Sequence, residues 1–97
     1  MIAVITINKL YYDQIKNGLK KIDYRNNSLY YQRLFSKNIN KIKFHYYKPE
    51  YIIKNVLLIE LINIPEFLKN SACLKTDKVW AIHLGEEIYT HTYIKEI

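Results

Sequence analysis

Asn17-Gly18-Leu19-Lys20-Lys21-Ile22-Asp23-Tyr24-Arg25 decides how the rest of the chain is read. Asn17-Gly18 is a stop signal. Glycine takes a left-handed backbone angle at little cost, so Gly18 ends a preceding helix and turns the chain. The residues after it form a basic strand over residues 20–25. On a strand, side chains two apart share a face, so Asp23 and Arg25 point the same way. They are candidates either for a charge pair or for two halves of a polar ligand site. Lys20 has the opposite parity and joins them only from the turn, before regular pairing begins.

Working outward, residues 2–7 are short and β-rich and read as a first strand. Leu10, Tyr11, Ile15 and Leu19 recur at helical spacing, with Asn8 as N-cap and Gly18 at the far end. Asn26-Asn27-Ser28 is turn and capping chemistry. Leu29, Tyr30, Arg33, Leu34 and Phe35 follow at helical spacing, which gives a short helix with Gln32, Arg33 and one tyrosine outward. Residues 39–47 alternate, with Ile42, Phe44 and Tyr46 on one side and Lys41, Lys43, His45 and Tyr47 on the other, as a half-buried strand does. Lys48-Pro49-Glu50 marks a turn. Residues 51–63 are too long and too apolar for an edge and read as a central strand bent near Asn55. Pro65 opens a short helix through Lys69. Residues 70–78 read as a loop. Residues 79–89 read as a final strand that Gly85 interrupts by a bulge or a close backbone approach. Residues 90–97 either add a last pairing or fray.

With these elements placed, Gly18-x-Lys20-x-x-Asp23-x-Arg25, preceded by Tyr12-Asp13-Gln14-Ile15-Lys16-Asn17, resembles the G-x-K-x-x-E-x-R signature of ASCH domains. Trp80-Ala81-Ile82-His83-Leu84-Gly85-Glu86 resembles the closing strand of the same family. The chain departs from the signature at Asp23, which is one methylene shorter than the family's glutamate and reaches less far. The resemblance covers most of the chain. It implies an α+β fold: a small PUA-like β-barrel of five to six strands with two to three short helices, in a single domain over residues 1–97. For function it implies RNA binding and, in some members, hydrolysis of acylated nucleosides or cleavage of RNA. A fold of this kind does not by itself fix the reaction.

Composition bounds the function classes. Ninety-seven residues suit one domain, and half of them are hydrophobic, enough for a core. The net charge is +6. It is concentrated: residues 15–54 carry ten Lys or Arg against Asp23 and Glu50. A basic half of this size is either a polyanion-binding face or a solvated lysine-rich surface. The ten tyrosines join a general bias toward Ile, Lys and Asn, the signature of AT-rich coding, which suits a bacterial origin. They are either ordinary packing residues or exposed stacking surfaces. Cys73 is the single cysteine, so no internal disulfide is possible, and a reducing cytoplasm is the expected compartment. No signal peptide is read at Met1, and the apolar run over residues 56–64 is far short of a membrane span.

The expected site follows from these residues. Lys20 is a phosphate contact while charged, a nucleophile or base if burial lowers its pKa, or a surface lysine beside a turn. Asp23 either orients Lys20 or Arg25, acts as general base toward a water, or is a plain salt-bridge partner. Arg25 offers a planar fork for phosphate or carboxylate. Gly18, Lys20, Lys21, Arg25, Tyr30, Tyr31, Arg33 and Trp80 are the expected ligand-binding set, with Tyr24 a further stacking candidate. Lys20 and Asp23 are the catalytic pair if the chain is an enzyme. His45, His83 and His91 have no metal-ligand spacing, and neither a metal nor a cofactor is expected. RNA or a nucleotide is the expected partner. The alternatives are a hydrolase of a modified nucleoside or of RNA, and a protein-interaction module.

Overall fold

A computed structural model describes residues 1–47, 50–71 and 73–91. Along the chain run β1 (Ile2–Thr6), α1 (Lys9–Lys16), β2 (Ile22–Asn26), α2 (Leu29–Phe35), β3 (Lys41–Tyr47), β4 (Glu50–Asn63), a 3-10 turn (Glu66–Leu68) and β5 (Lys78–His91). The five strands form one curled sheet in the order β1-β3-β4-β5-β2. β1 runs parallel to β3, and the other three ladders are antiparallel. The chain is therefore a small α+β domain with a barrel-like sheet.

The expected barrel is found in part, as a curled half-barrel. β1 and β2 are the two edges, and no ladder joins them among the described residues. The seam between them is where the candidate site lies.

Local chemistry explains the elements. Asn8 caps α1, its side chain accepting from the Tyr11 amide at 2.9 Å. Ser28 caps α2 in the same way through the Tyr31 amide at 3.3 Å. Gly18 has a φ of +75°, the left-handed turn the sequence requires. The 3-10 turn after Pro65 is shorter than the helix expected there.

The sheet and α1 enclose a core of Ala3, Ile5, Ile7, Tyr12, Ile15, Ile39, Ile42, Phe44, Ile52, Ile82 and Leu84. Ile42 and Phe44 point inward as the alternation of β3 demands. The stripe expected for α1 is corrected. Leu10 and Leu19 are exposed, while Tyr12 and Ile15 are fully buried. The helix stops at Lys16, so Leu19 lies beyond it, and the tilted ring pair of Tyr12 and Tyr46 at 4.7 Å turns Tyr12 toward the core. Burial pushes the Tyr12 hydroxyl up to about 12, and its oxygen has no hydrogen-bond partner among the described residues.

β4 is central, between β3 and β5, and its register against β5 shifts three times between Ile53 and Leu58. The expected bend near Asn55 falls in this interval. Gly85 faces it: a Cβ there would lie 3.1 Å from Leu57 Cδ2 and 3.3 Å from Asn55 Cβ, so the glycine marks a close approach of two strands. β5 continues through Thr90 and His91, paired to Ile52 and Tyr51. The expected turn at Lys48-Pro49 and the end of the chain after His91 lie outside the described residues.

Candidate basic cleft between the edge strands

Three backbone contacts fix where Lys20 leaves the chain. The Leu19 and Lys20 amides both donate to the Gln14 carbonyl, at 2.9 and 3.0 Å, which folds the turn back on α1. The Leu84 amide donates to the Lys21 carbonyl at 2.9 Å, which ties the next residue to β5. Lys20 thus sits two residues before β2, in the turn that precedes regular pairing.

Asp23 is the hub of the site. Only 2% of its surface is exposed. The Arg25 guanidinium donates to it twice, from Nε to Oδ2 at 2.6 Å and from Nη2 to Oδ1 at 3.4 Å. Lys20 Nζ lies 3.9 Å from Asp23 Oδ1. One buried carboxylate therefore compensates one of two adjacent cations, and a positive charge remains. The rings around it reinforce the arrangement. Lys20 Nζ stands 5.0 Å from the centre of the Tyr11 ring and 5.9 Å from that of Tyr24. Arg25 lies over Tyr31 at 5.9 Å and donates to its hydroxyl at 3.4 Å.

The protonation equilibria follow from this geometry. Burial lowers the pKa of Lys20; the charge of Asp23 opposes that shift and Arg25 adds to it. Burial also pulls Arg25 down, but the charge and hydrogen bond of Asp23, with a smaller contribution from Tyr31, outweigh it and leave Arg25 raised.

These side chains open into a shared cavity of about 380 Å³. One wall comes from the end of β1 and the start of α1 (Thr6, Ile7, Asn8, Tyr11), the opposite wall from β2 (Asp23, Tyr24, Arg25, Asn26) with Lys20 and Tyr31. Leu68, Ser71, Cys73 and Leu74 close the far side. Asn26 holds that loop: its Nδ2 donates to the Cys73 carbonyl at 2.8 Å, and its Oδ1 accepts from the Lys75 amide at 2.8 Å. Thr76 adds a hydrogen bond from the Asn27 amide at 3.1 Å.

The expected site residues divide into four groups. Lys20, Asp23, Arg25 and Tyr31 meet in the cavity, together with Tyr24. Gly18 and Lys21 line a neighbouring hollow that shares Lys20. Tyr30 and Arg33 lie on a shallow depression on α2 with Leu29, Leu34 and Lys37. Trp80 faces Arg25 in register across β2 and β5, yet it packs on Phe35 at 5.2 Å, and Phe35 stacks on Tyr31 at 5.6 Å. Trp80 supports the wall behind Arg25 and is absent from the cavity lining. Sequence reasoning missed Thr6, Asn8, Tyr11 and Asn26 as lining residues. Asn8 and Asn26 were legible only as capping and turn residues.

The histidines are separate. His45 shares a hydrogen bond with Thr6 at 3.2 Å, His83 lies 3.3 Å from Glu60, and His91 stacks on Tyr51. Among the described residues no three His, Cys, Asp or Glu side chains gather as metal ligands, and no helix is long and apolar enough to cross a membrane.

Comparison of the chain with protein-family models, with curated proteins and with solved structures returned no match.

Proposed function

We propose that this chain is a nucleic-acid-binding module of PUA-like, ASCH type that takes RNA or a nucleotide in the cleft beside the motif over residues 18–25. The observation that carries the reading is the convergence of Lys20, Asp23 and Arg25 on one cavity walled by Tyr11, Tyr24 and Tyr31. A cleft with one uncompensated cation suits a phosphate, and rings beside it suit a base: stacking on an aromatic side chain is worth roughly 1–3 kcal/mol per base. The overall charge of +6 adds long-range attraction for a polyanion. Asp23 serves in this reading as the counter-ion that holds the Arg25 fork in place.

Titration with labelled single-stranded and structured RNA, followed by fluorescence anisotropy, tests it. Binding should appear at low salt, weaken steeply as salt rises through counter-ion release, and be lost in Lys20→Ala. No binding to either RNA at low salt would dispose of the reading.

One observation favours a second reading, hydrolysis of an acylated nucleoside. Burial lowers the pKa of Lys20, which enlarges the neutral fraction able to act as a base, and Asp23 stands 3.9 Å away to orient it. Water would attack the acyl carbon, Lys20 would take its proton and pass it to the departing amine as the C–N bond breaks, and a carboxylic acid and the free amine would result. Incubation with acylated cytidines, beside Lys20→Ala, separates turnover from binding. Absence of product with the unaltered protein removes this reading.

A further inference from the structure

Next to the cleft lies a second hollow of about 620 Å³, and its chemistry differs. No aromatic side chain among the described residues lines it. Lys20, Lys21 and Lys54 do, against the single carboxylate of Glu86, with Leu57 and Leu84 as apolar walls. Lys20 lines both cavities, so the two are neighbours across its side chain.

Lys54 is the unusual member. It lies on the core-facing side of the central strand, two residues after fully buried Ile52, and is itself 9% exposed. Lysines are almost never buried to this degree unless paired. Lys54 has no ion pair among the described residues; the lysines that do are Lys9, Lys16, Lys20 and Lys69. Its β5 neighbour in register, Glu87, forms none with it. The register shifts on both sides of Lys54 belong to the class of β-bulges that re-aim side chains beside functional sites. A largely buried lysine with no carboxylate partner among the described residues, in a hollow whose described lining carries an excess of positive charge and no ring, is arranged for an anion and not for a base.

We propose that this hollow is a phosphate site, with Lys54 and Lys21 as its own ligands and Lys20 shared with the cleft. If the cleft takes a nucleotide, as proposed above, the strand's next phosphate lies on Lys54, and the ligand is an oligonucleotide and not a single nucleoside. The phosphate site itself does not depend on that reading.

The test has two arms. In the first, thermal melting is followed with inorganic phosphate and, at matched ionic strength, with chloride. Phosphate should raise the melting temperature of the unaltered protein above the chloride control, and Lys54→Gln should abolish the difference. Lys21→Gln, at an exposed position, should reduce it and decides the matter alone if Lys54→Gln does not fold. No phosphate-specific rise in the unaltered protein, or an equal rise in the folded variants, overturns the site. The second arm identifies the phosphate's source. A four-nucleotide single strand should bind about tenfold more tightly than a mononucleotide, and Lys54→Gln should erase that gain. A phosphate response without binding of either nucleotide ligand leaves the phosphate site standing and removes the nucleic-acid reading of the cleft. Mononucleotide binding without a phosphate response does the reverse.

Discussion

Arg25 Nε donates to Asp23 Oδ2 at 2.6 Å, and the carboxylate that accepts it is almost wholly out of solvent. Charge-assisted bonds of this kind are strong, and a buried charge that loses its partner is costly. Asp23→Asn keeps the shape of the side chain but leaves Lys20 and Arg25 as neighbouring, half-buried cations. Breaking a buried pair by removing one partner costs on the order of 3 kcal/mol, so urea unfolding at neutral pH should show a midpoint shifted well down. An unchanged midpoint would mean that Asp23 is not the counter-ion the geometry makes it.

Lys20 should titrate below the ordinary lysine value of 10.5, because burial penalises its charged form. The sign of the stability effect follows. A lysine lowered in the folded state binds fewer protons folded than unfolded between its folded pKa and 10.5, so its charged form burdens the fold below that window. The burden lifts as pH rises through the window. Removing Arg25 should move Lys20 up and removing Asp23 should move it further down, since the first lowers and the second raises it. Carbon-13 methyl labels on the lysines read this directly by NMR. A Lys20 resonance that titrates at or above 10.5 would contradict the burial argument.

Much of the fold was legible because its signals are local. Asn8, Ser28 and Gly18 act within one turn, and the alternation of Ile42 and Phe44 needs only the period of a strand. The reading failed where a longer-range packing choice decided. Leu10 and Tyr12 lie on different faces of α1, and spacing alone does not tell which face meets the sheet; contact with Tyr46 on β3 settles it in favour of Tyr12. Whether the barrel closes was not legible for a similar reason, since pairing of β1 with β2 depends on how far the sheet curls. In the site, Asp23 and Arg25 share a face by parity alone. The far wall is different. Asn26 reaches Cys73 across 47 residues, and nothing in either segment announces the meeting. Lys54 was hidden because a lysine in a strand of mixed pattern reads as outward-facing until the bulges are seen.

The two glycines separate two kinds of constraint. Around Gly18 a Cβ would meet nothing within 4 Å, so Gly18→Ala costs only the left-handed backbone angle, about 1 kcal/mol. Asparagine tolerates that angle better, and Gly18→Asn should recover part of the loss. Gly85 has no positive φ, but a Cβ there would press on Leu57 and on Asn55 Cβ. Leu57 is exposed and can move, whereas Asn55 Cβ is fixed to its strand. Gly85→Ala should therefore cost roughly 1 kcal/mol, and Gly85→Val distinctly more, because overpacking grows with side-chain size. Chemical denaturation of the four variants checks the contrast. Equal losses in Gly85→Ala and Gly85→Val would argue against a steric origin.

The tyrosines carry the sharpest test of where a base would sit. Tyr24 and Tyr11 line the cleft and flank Lys20, whereas Tyr30 is 61% exposed on α2, outside that cavity. If a base enters beside Lys20, Tyr11→Ala or Tyr24→Ala should weaken binding of a single-stranded oligonucleotide by about tenfold, within the range that base stacking on a ring supplies. Tyr30→Ala should leave affinity unchanged, although it removes an edge contact to Tyr31 at 5.0 Å. Tyr31→Phe keeps the ring and its stacking on Phe35 but deletes the hydroxyl that Arg25 reaches, so it reports on the guanidinium's position more than on stacking. Anisotropy titrations at one fixed low salt compare all four. A loss confined to Tyr30→Ala would move the ligand out of the seam between β1 and β2 and onto the depression on α2 beside Arg33.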